Sequence, residues 1–419
     1  MATNNTDKTL NVPHLRFPEF SGEWKEHQLH NVCKLLSGGT PALDISCYWN
    51  GNIPFISATA MHKPYIIDSE QYLSEEGLVH GSKLLKQGNL LLLVRGSMLW
   101  KRIPVCYNRV DVAFNQDVKG IIPNNVTNSL FLLYWFLSQE NRIKYMVTGT
   151  GIGAGKLDME DLLSMKILLP LQDEQRKVVS LLQLIDARIA TQNKIIEDLK
   201  KLKSAIIEKV FCPPNQKQPV CRIKGFEHPL TTYKMSAFCS RIATKNKDAK
   251  CSLVLTIAAQ YGLVNQGSFF NKSVASENLT GYYLLHKGEF AYNRSYSAGY
   301  DWGTVKRLDN CDEGVLSTLY ICFKINETIV DSDFLTYYFE STKWHKGLSD
   351  IAGEGARNHG LLNVSMTDYF NTKHRFPSME EQKVIAKMLN AITEREREAI
   401  MLGECYRKQK QFLLCQMFI

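Results

Sequence analysis

The sequence predicts an α+β protein in which two tandem-repeated α/β domains are joined by two long helices that form an antiparallel coiled coil. Three observations predict it. The chain repeats itself at a fixed offset; each copy closes on a run with heptad spacing; and the segments before those runs are short, β-rich stretches separated by Gly, Asn and Asp turns. At 419 residues there is room for about two or three domains with cores of their own.

The repeat is clearest where each copy ends. "LDMEDLLSMKILLPLQDEQRKV" at 157–178 and "VSMTDYFNTKHRFPSMEEQKVI" at 364–385 align without a gap at an offset of 207 residues. Met159 meets Met366, Asp161 meets Asp368, Pro170 meets Pro377, and Glu174-Gln175 meets Glu381-Gln382. Earlier, "LLKQGNLLLLVRGS" at 84–97 resembles "LLHKGEFAYNRSYS" at 284–297, and "WKEHQL" at 24–29 resembles "YKMSAF" at 233–238. The organisation read from this is an N-terminal segment 1–20, a domain 21–171, a helix 172–212, a second domain 213–376 and a C-terminal helix 377–419.

Each domain should be built from short strands. The first offers "NIPFISA" at 52–58 and "NLLLLVRG" at 89–96. The second offers "SLVLTIAA" at 252–259, "GEFAYN" at 288–293 and "LYICFKI" at 319–325. Helical signals are few, chiefly 129–146 and its counterpart 331–348.

The first long helix should start near Asp173 as a cap and stop before "CPP" at 212–214, where proline cannot continue it. Its apolar seam runs Val178, Leu182, Ile185, Ile189, Ile196, Leu199, Ile206 and Val210, interrupted by Gln192 and Lys203. Alternating spacings of four and three make a coiled-coil seam. Ser378 and Glu381 should open the second helix as a capping box. Its seam runs Ile385, Leu389, Ile392, Ala399, Tyr406, Leu413 and Met417, with Glu396, Gly403 and Lys410 at polar or small positions. Lys410 and Lys203 occupy the same register. Helices of ~37–40 residues would be ~55–60 Å long, and antiparallel pairing relates the two copies by a pseudo-two-fold axis.

Composition narrows the function. The net charge is +8, with 24 basic and 21 acidic residues in 1–212 and 26 and 21 in 213–419, an excess that permits nucleic-acid binding without requiring it. The longest apolar run, "LFLLYWFL" at 130–137, falls well short of the ~20 residues of a membrane span. Eleven cysteines without a C-x-x-C pair fit free thiols in a reducing cytoplasm better than zinc sites or disulfides. No partner membrane, metal or cofactor is expected.

Catalytic signatures are missing. "CPPN" has neither flank of an amino-methyltransferase motif, the histidines are dispersed, and no G-x-S-x-G or H-E-x-x-H occurs. "GTGIGAGK" at 149–156 imitates a phosphate loop but carries Thr150 where the first glycine belongs and Leu157 where the hydroxyl belongs. A non-catalytic binding or scaffolding chain is the reading that remains. Basic and aromatic residues interleave after the same strand in both copies: Arg95, Ser97, Trp100, Lys101, Arg102, Tyr107 and Arg109, then Arg294, Tyr296, Tyr300, Trp302, Lys306 and Arg307. Such groups hold phosphates by charge and reach base edges from loops. A coiled-coil scaffold whose β-rich ends bind other proteins, without DNA, is the alternative.

The chain resembles the specificity subunits of type I restriction–modification systems. The resemblance is carried by "LRFPEFSGEW" at 15–24, "GGTP" at 38–41, "GNIPFIS" at 51–57, "LLLVRGS" at 91–97, "FNQDVKGI" at 114–121, "GIGAGKLDMEDLLSMKILLPLQDEQ" at 151–175, "GVLSTLY" at 314–320 and "GARNHGLLNVSMTDYF" at 355–370. It implies a chain without catalysis of its own, whose two target-recognition domains each read one half of a split double-stranded DNA sequence. It also implies docking of two methyltransferase subunits on the helices, with restriction and translocase subunits joining for cleavage. Under this reading Arg95, Ser97, Lys101, Arg102, Arg294, Tyr296, Tyr300 and Arg357 face DNA. Because the two domains differ in sequence, the target should be asymmetric and bipartite.

Overall fold

The computed structural model describes residues 11–151, 153–213, 215–270, 278–295, 299–352 and 362–419. The chain divides into two compact units, Met1–Gln192 with Leu402–Ile419, and Asn193–Met401.

In the first unit the central sheet runs Cys33–Ser37, Val118–Pro123, Leu90–Leu93, Val105–Asn108 and Tyr65–Ile66. Its pairings are antiparallel except the last. Leu90–Leu93 is a continuous apolar run because all four residues are buried. The helix Ser129–Ser138 buries six successive residues from Phe131 to Phe136, and Asn128 caps it by accepting from the N–H groups of Leu130 and Phe131. In the second unit the sheet Cys239–Arg241, Ile321–Ile325, Phe290–Asn293, Thr304–Arg307 repeats the first four strands in the same order. The helix Ser332–Glu340, capped by Asp331, repeats the helix. Gly88 and Gly288 enter the matching strands at φ +89° and +88°, a left-handed turn that favours glycine at both places.

Two polar brackets explain why Glu-Gln recurs at the repeat's end. The Arg16 guanidinium donates to both oxygens of Glu174 at 2.8 and 2.7 Å, and Arg222 does the same to Glu381 at 3.1 and 2.8 Å. The neighbouring glutamines tie three segments together. Gln175 donates to the carbonyls of Pro170 and Val126 and accepts from the Asn128 N–H, while Gln382 donates to Pro377 and Ile329 and accepts from Asp331. Buried polar side chains need such partners, so both residues are fixed by the frame.

The long helices span Gln172–Val210 and Met379–Met417. Their pairing is antiparallel inside each unit. In the first, Leu15 donates to the Gln416 carbonyl beside the Arg16–Glu174 pair, and further along Asp186 meets Lys410 at 2.6 Å. Advancing along one helix therefore retreats along the other. In the second unit Ile207 shares a core with Ile385, Ala386 and Leu389, and Lys203 meets Glu396 at 2.9 Å. Val178, Leu182, Ile185, Ile385, Leu389, Ala399, Leu413 and Met417 are buried. Ile189, Ile196, Leu199, Ile206 and Ile392 are half-buried, and Ile207 is buried beside Ile206. Buried Gln192 and Gly403 show that the seam continues through its interruptions.

Four sequence expectations need correction. Asp173 lies within the first turn instead of capping it; the Leu171 carbonyl accepts from Gln175, and the Asp173 carboxylate pairs with Arg176. Only half of the capping box forms: the Glu381 N–H reaches Ser378 Oγ at 3.3 Å, but the Glu381 carboxylate is taken by Arg222. "WKEHQL" and "YKMSAF" are three residues out of register. The strand Lys25–Gln28 matches Thr231–Lys234 and the turn Leu29–Val32 matches Met235–Phe238, so Trp24 precedes its strand and donates to Glu174 whereas Tyr233 lies within one. The helices at 129–146 and 331–348 each break in two, the second pieces being Glu140–Lys144 and His345–Ser349.

Candidate nucleic-acid interface

The two ends of "GTGIGAGK" lie on paired antiparallel strands. Val147–Gly149 pairs with Gly155–Leu157, which pairs in turn with Arg95–Gly96. Thr150 closes the turn by donating from its N–H to the Ala154 carbonyl, and Gly153 takes φ +79°. A side chain at 155 would sit 2.8 Å from Val147 Cγ1 and 3.1 Å from Leu99 Cβ, so close strand packing requires that glycine. Lys156 sits on a strand, not at the start of a phosphate-cradling helix.

The pairing sets Lys156 directly opposite Arg95. Both are exposed, and like charges facing each other across a ladder destabilise it. Among the described residues Arg95 has one ion pair, with Asp117 at 4.0 Å. Lys101 and Ser97 are exposed on the adjoining turn. Trp100 is half exposed and anchored by its indole N–H on the Gly153 carbonyl at 3.1 Å. The result is a cationic face of Arg95, Lys101 and Lys156, only partly offset by Asp117, with an aromatic ring beside it, suited to polyanion contact. Lys156 belongs to this face, although the sequence presents it only as part of a failed phosphate loop. The extended glycine-rich run flanking it was the available signal for a hairpin.

Other sequence candidates are engaged inside the fold. Arg102 donates to the carbonyls of Met61 and His62, bracing the segment 57–71 that borders a hollow of about 600 Å³. The Arg109 guanidinium lies 4.7 Å over the Tyr65 ring, and Tyr107 packs edge-on against Tyr65. In the second unit Arg294 donates to the carbonyls of Leu319 and Val364. Lys306 pairs with Glu340. Arg307 donates to Asp333, Asp309 and Ser332; burial opposes its charge, but the two carboxylates raise its pKa further. Tyr300 is half-buried and its carbonyl accepts from Gly303. Trp302 is half-buried, its carbonyl taken by the Tyr292 hydroxyl. Tyr296 and Arg357 lie outside the described residues. Among the described residues no group of His, Cys, Asp and Glu could hold a metal ion, and no helix is long and apolar enough to cross a membrane.

Fold and surface together define a two-domain coiled-coil protein whose repeated frame carries unlike loops. Residues 21–201 match the family model of the type I restriction modification DNA specificity domain. The specificity subunit of the EcoR124I/EcoR124II restriction enzyme of Escherichia coli is 32% identical over 189 residues, 45% of this chain. That match takes in a little under half, 46%, of the Escherichia coli subunit. The MjaVIII specificity subunit of Methanocaldococcus jannaschii is 26% identical over 95% of this chain and 90% of its own length. Among solved structures, the type I S subunit from M. genitalium superposes with a TM-score of 0.54 at 12% identity, over 97% of this chain and 99% of that one. A chain from work on complex assembly and conformational transition of the type I R-M system superposes at 0.53 and 14% identity, over 93% and 96%. Residues 21–201 thus resemble the DNA specificity domain of type I restriction–modification systems, and the chain is similar along nearly its whole length to a type I specificity subunit.

Proposed function

We infer that this chain reads an asymmetric, split sequence in double-stranded DNA and has no catalytic activity of its own. It directs methyltransferase subunits, two to a complex, to that sequence, and restriction subunits act through the same assembly. The observation that carries this reading is the contrast between frame and surface. The Arg–Glu and Gln brackets recur residue for residue, whereas the small sheet of Val147–Gly149, Gly155–Leu157 and Arg95–Gly96 on the first frame has no counterpart among the described residues of the second. A frame kept twice with unlike loops suits two readers of unlike half-sites. The domains 21–171 and 213–376 are the proposed readers, and the helices 172–212 and 377–419 the proposed spacer and docking surface.

In this reading Arg95, Lys101 and Lys156 hold backbone phosphates, and Ser97 and Trp100 lie where a groove edge would pass. Phosphate contacts release counterions, so affinity should fall linearly on a log–log plot against salt. Arg95→Ala and Lys156→Ala in the complex with the modification subunit should each weaken binding alike for every sequence. Each should also reduce the salt slope by about 0.9. Unchanged affinity and slope in both variants would remove this face from the interface. A complex that protects no particular sequence from a random duplex pool would remove the function.

A further inference from the structure

The second unit exposes an aromatic corner that the cationic face does not account for. Leu255–Ala258 and Gly262–Asn265 form a hairpin, followed by a short helix, Gln266–Phe270. Tyr261 at the turn is 68% exposed, and Phe269 and Phe270 are 45% and 46% exposed. The three rings form one cluster, Tyr261 to Phe269 at 6.3 Å and Phe269 to Phe270 edge-on at 5.0 Å. Clustered exposed rings mark a contact surface more strongly than single ones do.

The backbone beneath them is fixed. Gly262 takes φ +86° to make the hairpin turn, and Asn265 Oδ1 accepts from the N–H groups of Gly267 and Ser268. Gln266 donates to the Val254 carbonyl, and Val254 bridges Val315 in parallel. Rings on a braced turn are presented without a further ordering cost. The described stretch 241–270 carries Arg241, Lys245, Lys247 and Lys250 against the single acidic Asp248. A basic segment bearing exposed rings is complementary to a polyanion with stackable faces.

We propose that Tyr261, Phe269 and Phe270 form a wedge that enters between base pairs of the half-site read by the second unit and kinks the duplex there. The proposal rests on the DNA-reading function above. Apolar side chains inserted at a base step unstack it and bend the DNA. Among the described residues the corresponding segment of the first unit has no such corner. Its strand Trp49–Ile56 lies parallel to Val112–Phe114, as Val254 does to Val315, so the segments that follow correspond. The only phenylalanine, tyrosine or tryptophan in 57–71 is Tyr65, held under Arg109 and hydrogen-bonded to Tyr134. The kink should therefore occur at one half-site alone.

The test uses the full chain with its methyltransferase subunits on circularly permuted duplexes carrying the site that the complex methylates. Wild type should place one bend centre in one half-site and raise the fluorescence of 2-aminopurine there several-fold. The triple variant Y261S/F269S/F270S should lose most of the bend and about tenfold or more in affinity, with the salt slope unchanged because no phosphate contact is removed. F269L/F270L, which keeps apolar wedges and serves as the folding control, should retain the bend. Equal bending and affinity in wild type and triple variant overturns the wedge, as does a wild-type complex that binds its site without bending it. Loss of methyltransferase co-purification in the triple variant also overturns it, making the corner a protein-docking surface. A wild-type complex that binds no duplex overturns the DNA reading itself.

Discussion

Arg222 reaches Glu381 through two hydrogen bonds, and the carboxylate side chain is only 2% exposed. Removing one partner of such a pair leaves a charge buried without compensation, which costs more than the pair contributes. Arg222→Ala should therefore destabilise the second unit by about 3 kcal/mol in denaturant titration, while Arg16→Ala should act on the first unit through Glu174. His374 supplies a pH test of the same unit. It is fully enclosed between the Tyr338 hydroxyl at 3.0 Å and Thr372 Oγ1 at 2.8 Å, and burial pushes its pKa down to about 3. The folded state thus keeps the imidazole neutral while the unfolded chain protonates it below about 6.5. Stability from this residue is complete above that value and is lost as pH falls toward 3. At pH 5 the loss is about 2 kcal/mol. Melting curves between pH 7 and 5 should show the second unit weakening, and His374→Gln should flatten that dependence. An equally steep dependence in the variant would remove His374 as its cause.

At the scale of elements, the lysines that interrupt the two seams turn out to be paired across them. Lys410 meets Asp186, which also accepts from the Tyr134 hydroxyl at 2.8 Å, and Lys203 meets Glu396. Asp186→Leu alone should cost about 3 kcal/mol by stranding Lys410, and adding Lys410→Leu should recover most of it. Additive effects in that cycle would mean the pair is not coupled. The seam was legible in sequence because heptad spacing survives five polar or small interruptions, Gln192, Lys203, Glu396, Gly403 and Lys410. Which residues the interruptions meet was not, since Asp186 lies 224 positions from Lys410 and Glu396 lies 193 from Lys203. The same limit applies to the interface. Arg95 and Lys156 are 61 residues apart and become neighbours only through strand pairing, whereas Arg102, Arg294 and Arg307 look free in sequence and are engaged by carbonyls and carboxylates in the fold. The three-residue slip at "WKEHQL" has a related origin: Trp24 and Tyr233 are both aromatic, but one serves the Glu174 bracket and the other a strand.

Across the whole molecule, one frame used twice is proposed to carry two different readers. The measurement that tests it most directly is genome-wide mapping of modified bases in cells that express the modification subunit, with and without this chain. The account predicts a split motif with unlike halves, methylated only when the chain is present. Replacing residues 225–372 with the matching segment of a type I specificity subunit should then change one half of the motif and leave the other intact. An unchanged methylation map, with the modification subunit expressed and folded, would contradict the account and favour a protein scaffold.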